Sequence, residues 1–292
     1  MPLRFDTITF LSDYGRTDEF VGVVHSVVRA ISPEVAVVDL THDIAPYDTR
    51  AAGLLLARSA QYLCPGVVLA VVDPGVGTPR RGVAVEVGDG ASVLVGPDNG
   101  LLAPAVAMCG GATAAVALDN VEYHLPAPGP TFAGRDVFAP VAAHLCAGVP
   151  LAEFGTAVDP ASLLPGVLPV ARTEDDDLVA EVLWVDRYGN AQLNVDPDEL
   201  DGLAGEGEPV EVAFADTTRV ASRADAYGML PVGSVGLVVD SYGLVSVAVD
   251  RGSAAGELGL TPGTEVRLRA VGDDDDGPSG VTVSLGEPRR KP

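Results

Sequence analysis

Apolar positions in the first half of the chain come in short runs separated by stretches of helical spacing. Residues 8–11 form the first run, read as a strand that ends on Ser12-Asp13-Tyr14-Gly15. Residues 20–31 space their apolar side chains as a helix and stop before Pro33. A second strand over 35–40 ends on Thr41-His42-Asp43, and a second helix over 49–63 ends before Pro65. Residues 67–72, Val-Val-Leu-Ala-Val-Val, have no polar member and read as a buried strand. Strands over 83–87 and 92–95 join through Gly88-Asp89-Gly90, and helices are predicted over 99–108 and 137–147. This βαβα rhythm predicts an α/β N-terminal domain with a mainly parallel sheet and helices on both faces.

The pattern changes at 150–169, a proline-rich stretch without periodicity. Beyond it the runs are short, at 178–186, 192–195, 210–214, 217–221, 235–239, 245–249, 265–270 and 281–285, with turn residues between them. They predict a smaller all-β, barrel-like C-terminal domain. The expected division is 1–160 for the α/β domain, 161–172 for the linker and 173–292 for the barrel.

Composition narrows the partners. The 292 residues carry a formal net charge of -23, which repels phosphate backbones and argues against nucleic acid. A cationic ligand meets a favourable field. Acidic runs at Asp175-Asp176-Asp177 and Asp273-Asp274-Asp275-Asp276 read as solvated loops. No apolar run reaches the ~18 residues of a membrane helix, and the first run, residues 8–11, is too short for a signal-peptide core. A cytoplasmic protein is expected. Cys64, Cys109 and Cys146 are odd in number and widely spaced, suggesting neither a disulfide framework nor a zinc site. The four histidines lack metal-ligand spacing, so no metal is predicted. His42, beside Asp43 at a strand end, is a weak candidate for facing a cleft.

The chemistry concentrates where strands end. Asp13, Asp43 and Asp73 each follow a strand, and in an open α/β sheet ligands bind beyond the carboxyl ends. Three carboxylates there suit ribose hydroxyls or a cation. No glycine-rich dinucleotide fingerprint follows the first strand and there is no P-loop, so a nucleoside fits better than a nucleotide. Arg80 and Arg81 follow Asp73 on a Pro/Gly turn that can fold back to pair with it. Gly96-Pro97-Asp98-Asn99-Gly100 reads as a turn opening a helix, and Asp136 as a candidate cap of the next. Asp186-Arg187-Tyr188-Gly189-Asn190 is either a plain turn or a grip for an ammonium and a ring.

Taken in order, these segments resemble one family. They are Ser12-Asp13-Tyr14-Gly15, residues 41–48, Val72-Asp73-Pro74-Gly75-Val76-Gly77-Thr78, Gly96-Pro97-Asp98-Asn99-Gly100, Gly134-Arg135-Asp136, Asp186-Arg187-Tyr188-Gly189-Asn190 and Arg251-Gly252-Ser253-Ala254-Ala255. The chain resembles the adenosine-forming S-adenosyl-L-methionine (SAM) hydrolases, also called SAM hydroxide adenosyltransferases, relatives of the SAM-dependent fluorinase and chlorinase. The resemblance implies hydrolysis of SAM to adenosine and L-methionine by water or hydroxide attack at C5′, with SAM as substrate and no cofactor. It implies a homotrimer with sites at subunit interfaces, the N-terminal domain supplying the water and ribose site and the C-terminal domain the adenine and methionine contacts. It places Asp13 on the ribose diol, Tyr47 against the ribose face, Gly134 among the substrate-binding residues, Asp186 and Ser241 near methionine, and Asn190 and Ala254 near adenine. Asp73 with Arg80 marks the hydrolase branch; halogenases carry Tyr at that position. One departure stands out: the family's Thr-Phe-His-Gly-Arg-Asp motif has Ala133 in place of its histidine. That is either divergence within the branch or an engineered active-site substitution. The alternatives are a catalytically silent SAM- or adenosine-binding protein and, disfavoured by the carboxylate at 73, a halogenase.

Overall fold

The computed structural model describes residues 3–205 and 207–271. Two compact units divide the chain, Met1–Leu168 and Pro169–Pro292.

The first unit is built on a six-stranded sheet of β1 (Thr7–Ser12), β2 (Ala36–Thr41), β3 (Val67–Val71), β4 (Gly82–Val87), β5 (Ser92–Pro97) and β6 (Ala112–Ala117). Their order is β2-β1-β3-β5-β4-β6. The β2-β1-β3-β5 pairings are parallel, and β4 runs antiparallel to both β5 and β6. The β4–β5 hairpin turns on Gly88 and Gly90, both at positive φ. β3 lies between two partners and is buried throughout, which explains its unbroken apolar run.

Four helices pack on this sheet: α1 (Phe20–Ile31), α2 (Thr49–Ser59), α3 (Ala103–Met108) and α4 (Ala139–Cys146). Val24 and Val28 of α1 and Val141 and Leu145 of α4 share a core with alternate strand residues Ile8, Phe10, Val67, Leu69 and Val71. α2 packs on α3 and β1. Asp48 caps α2 by accepting from the Ala51 N–H at 2.8 Å.

Two sequence expectations are corrected here, and one strand is added. The helix expected over 99–108 begins only at Ala103, because the Asn99 side chain bonds elsewhere: its Nδ2 donates to Val72 O at 2.9 Å and its Oδ1 accepts from Leu101 N at 3.2 Å. Asp136 caps nothing; it lies inside a π-helical turn, Gly134–Phe138, that leads into α4, and its carboxylate accepts from Arg135. Strand β6, Ala-Thr-Ala-Ala-Val-Ala, was not anticipated, since alanine has little strand preference and pairing with β4 supplies the order. The segment after α4 is tied down through Leu164, whose N–H donates to Asp98 Oδ1 at 2.8 Å.

The second unit contains β7 (Arg172–Glu174), β8 (Asp177–Val185), β9 (Ala191–Leu193), β10 (Val210–Phe214), β11 (Thr217–Ala224), β12 (Val235–Val239), β13 (Val245–Val249) and β14 (Glu265–Ala270). The order β14-β10-β11-β12-β13-β9-β8 closes on itself through antiparallel β14–β8 pairing, Leu268 opposite Leu178, so seven strands form a barrel with β7 appended to β8. Closure leaves those strands no free edge. Alternate residues fill the interior: Leu178, Ala180 and Val182 of β8, Val210, Val212 and Phe214 of β10, Val266 and Leu268 of β14.

Two short helices were not anticipated, α5 (Pro197–Leu203) and α6 (Ala254–Leu258). Asp196 and Glu199 form a capping box on α5, and Ser253 Oγ accepts from Gly256 N at 2.9 Å to cap α6. Asp177 is no solvated loop residue: it is buried and takes a bidentate pair from Arg269 at 2.7 and 2.8 Å. The strand expected at 281–285 and the run Asp273–Asp276 lie outside the described residues.

Candidate functional site

The parallel order β2-β1-β3 carries Asp43, Asp13 and Asp73 to one edge of the sheet. Each is held differently. Asp43 is exposed and paired with Arg16 at 3.3 Å. Asp13 Oδ2 accepts from the Tyr47 N–H at 2.9 Å. Burial raises the Asp13 pKa, the Tyr47 N–H opposes the rise and the Asp73 charge adds to it, so the two carboxylates sense one another. Tyr47 sits at φ 69, a left-handed conformation uncommon for an aromatic residue, and its side chain is 72% exposed. The bond to Asp13 holds that conformation and leaves the ring free to meet a ligand.

Asp73 and Arg80 form a bidentate pair in this unit. Arg80 Nε donates to Asp73 Oδ1 at 2.8 Å, and Arg80 Nη2 donates to Asp73 Oδ2. Both side chains are largely buried. The connecting turn is closed by Val76 N to Asp73 O at 3.2 Å and Thr78 Oγ1 to Gly75 O at 2.6 Å, with Gly77 at φ 77. The guanidinium also lies 5.3 Å from the centroid of Phe138. Arg81 turns the other way, to the buried Asp98, at 2.6 and 3.0 Å. The spacing alone offered both arginines to Asp73 and the resemblance implied Arg80; the turn brings Arg80 to it.

Ala133 is half-buried at the entry to the π-helical turn. With Arg80, Asp136 and His124 it lines a pocket of ≈ 510 Å³ that Asp13 and Tyr47 do not reach. Gly134 follows because nothing larger fits: a Cβ there would stand 2.0 Å from the Tyr14 hydroxyl. Tyr14 is the residue sequence reasoning missed in this unit. Its hydroxyl pKa is raised, first by burial and then by Asp13, Asp73 and Asp136 together, and contact with the Gly134 backbone opposes this. Its ring meets Phe132 edge-on at 5.6 Å. The signal was present as an aromatic within the first strand-end motif, but only the fold shows three acids around it.

In the barrel unit the predicted residues fall on two turns. Asp186 Oδ1 accepts from Tyr188 N at 2.8 Å and Asn190 N at 2.9 Å, and Oδ2 accepts from Asn190 Nδ2 at 2.8 Å. The carboxylate therefore builds this turn, and Tyr188 is left 78% exposed. Gly189 is at φ 85, and a Cβ there would fall 2.0 Å from Ser253 Oγ. Ala255 N donates to Gly189 O at 2.9 Å, which fixes the buried Ala254 beside the turn. Ser241 is exposed on the second turn, which Asp240 organises by accepting from Tyr242 N and Gln192 Nε2. Tyr227, also missed, links the two: burial raises its pKa, and the Asp240 and Asp186 charges raise it further.

His42 is only 1% exposed, with Nδ1 2.8 Å from Ser12 Oγ, so it does not face a cleft. No helix among the described residues is long and apolar enough to cross a membrane.

Comparison with known proteins fits this layout. Residues 8–155 match the SAM hydroxide adenosyltransferase N-terminal domain, and residues 180–267 match its C-terminal domain. An (R)-S-adenosyl-L-methionine hydrolase of Salinispora tropica is 44% identical over 263 residues, 90% of this chain and 97% of the relative. A fluorinase of Actinopolyspora mzabensis is 27% identical over 291 residues, 89% of this chain and 96% of the relative. The crystal structure of an uncharacterized conserved protein from Thermotoga maritima, 32% identical, superposes with a TM-score of 0.83 over 90% of this chain and 99% of that one.

Proposed function

The chain belongs to the SAM hydroxide adenosyltransferase family, and we propose that its Asp73–Arg80 pair handles the water its reaction consumes. The reaction is hydrolysis of SAM to adenosine and L-methionine, the enzyme class of relatives at 44% identity. Oxygen attacks C5′, the C5′–S bond breaks with its electron pair going to sulfur, and methionine leaves as a neutral thioether. The attacking water must lose a proton. Asp73 is the acceptor in this reading, since Arg80 holds both its oxygens in a fixed plane and leaves lone pairs on each for the water. The guanidinium offsets the negative charge that gathers on the oxygen. Asp13 takes the ribose diol, Tyr47 covers the sugar face, and Gly134, a substrate-binding residue in this reading, lets the Tyr14 hydroxyl approach its backbone. Asp186, Ser241, Asn190 and Ala254 serve the methionine and adenine ends. The bidentate pair at the strand edge, within electrostatic reach of Asp13, carries the proposal.

Incubating the purified chain with SAM and separating the products tests it. Adenosine and methionine in equal amounts are expected. A complex that returns SAM unchanged would favour a silent binding protein, and chlorodeoxyadenosine formed with added chloride would favour a halogenase.

Ala133 bears on rate. A histidine at 133 would line the same pocket as Arg80 and add a second group able to orient or exchange a proton with the water. Ala133→His is expected to raise single-turnover adenosine formation about 10-fold, with SAM affinity unchanged. No gain in a folded variant removes the position from the water site.

The assembly is proposed as a homotrimer in which neighbouring subunits complete each SAM site, with the protein in the cytoplasm. Sedimentation equilibrium is expected to give three times the mass of the 292-residue chain. A monomer that binds SAM at full affinity refutes the trimeric site.

A further inference from the structure

We propose that His25, Asp39 and His42 form a site for a divalent transition-metal ion, with Zn²⁺ the best fit. The three residues come from α1, from the edge strand β2 and from the turn after β2, and their candidate ligand atoms all lie within 4.8 Å of one another. Asp39 Oδ1 is 2.8 Å from His25 Nε2 and 3.0 Å from His42 Nε2. At metal–ligand distances of about 2.0–2.2 Å, neighbouring ligand atoms are themselves roughly 3–3.5 Å apart. Small side-chain rotations therefore place one ion among all three.

A second observation is independent of that clustering. His42 Nε2 is buried and lies near Asp39 Oδ1, yet out of line for a hydrogen bond, and it has no hydrogen-bond partner among the described residues. A buried nitrogen of this kind is costly unless something fills its direction. Its other ring nitrogen is already engaged: Nδ1 stands 2.8 Å from Ser12 Oγ. With the proton on Nδ1 and donated to Ser12, the Nε2 lone pair points into the cluster, the outer-shell arrangement that orients metal-binding histidines. The Phe10 ring, 4.6 Å from His42 and 6.2 Å from His25, walls the inner side.

The donor set decides the ion. Two neutral imidazoles and one carboxylate suit zinc and its first-row neighbours, whereas Mg²⁺ and Ca²⁺ prefer all-oxygen shells. His25 and Asp39 are each about one-third exposed, so water can complete the shell and the ion has an entry path. Such an ion ties α1 to β2 and, through Ser12, to the turn that carries Asp13. The proposal does not depend on the reaction assigned above.

The test uses the full chain without an affinity tag. After chelation, the protein is dialysed against Zn²⁺, and bound metal is measured against protein. One Zn²⁺ per chain is expected, not displaced by millimolar Mg²⁺ or Ca²⁺. The Co²⁺ form of the unsubstituted chain is expected to show visible d–d bands of nitrogen and oxygen ligation, a readout that needs no variant. His25→Ala and Asp39→Asn are each expected to weaken Zn²⁺ binding at least 10-fold. His25 stands one-third exposed on α1 and is not among its buried residues, so its removal leaves the core intact. Absence of saturable binding, absence of the Co²⁺ bands, or parental affinity in both variants overturns the proposal and leaves Asp39 as a carboxylate shared by two histidines.

Discussion

Asp73→Asn is expected to lower adenosine formation by about 10²–10⁴ while SAM still binds. The amide keeps the size and shape of the carboxylate. What it loses is the ability to take a proton and one of two acceptors facing Arg80. Arg80 has only donors, so the amide NH₂ would oppose a guanidinium nitrogen, and half of the bidentate pair is lost. The water is then held less well and has nowhere to send its proton. Both effects act on the chemical step rather than on recognition of adenosine or methionine. Single-turnover rates at saturating SAM, with affinity measured separately, isolate that step. Near-parental turnover would reduce Asp73 to a residue that shapes its turn.

Asp13→Ala is expected to act on affinity instead, weakening SAM and adenosine alike by about 10²-fold or more. Hydrogen bonds to a charged group contribute roughly 1.5–3 kcal/mol each, and a diol makes two to one carboxylate. The same substitution removes the acceptor of the Tyr47 N–H and so loosens the left-handed turn that presents the Tyr47 ring. Methionine, which lacks a ribose, should bind as before. Calorimetry with adenosine and methionine reads both expectations, and unchanged adenosine affinity takes Asp13 out of the site. A pH dependence follows from the raised pKa of Asp13, which burial causes first. The ionised carboxylate accepts the diol protons, so as pH falls adenosine affinity should decline sooner than an ordinary aspartate would require.

The sequence by itself determined the two-unit plan, most element positions and the strand-end acids. Those features rest on local periodicity and turn chemistry, which each segment carries alone. Residues 20–31 are a helix as their spacing required, and the barrel strands alternate inward apolar residues as written. The seven ordered motifs likewise carried the family. Only the tertiary structure decided which groups meet. The resemblance named Arg80 as the partner of Asp73, and the turn supplies the reason, folding that guanidinium back and sending Arg81 to Asp98. Tyr14 stands among three acids, and Tyr227 between two turns, through strand order and barrel closure, neither visible in a local window. His25 and His42 lack any ligand spacing in the chain, yet α1 and the β2 edge bring them to one Asp39 oxygen. Strand β6 became a strand because β4 offered it an unpaired edge, against its own alanine content. Periodicity is a property of neighbours along the chain, whereas charge pairing, burial and edge closure belong to residues far apart in sequence, and only packing sets those distances.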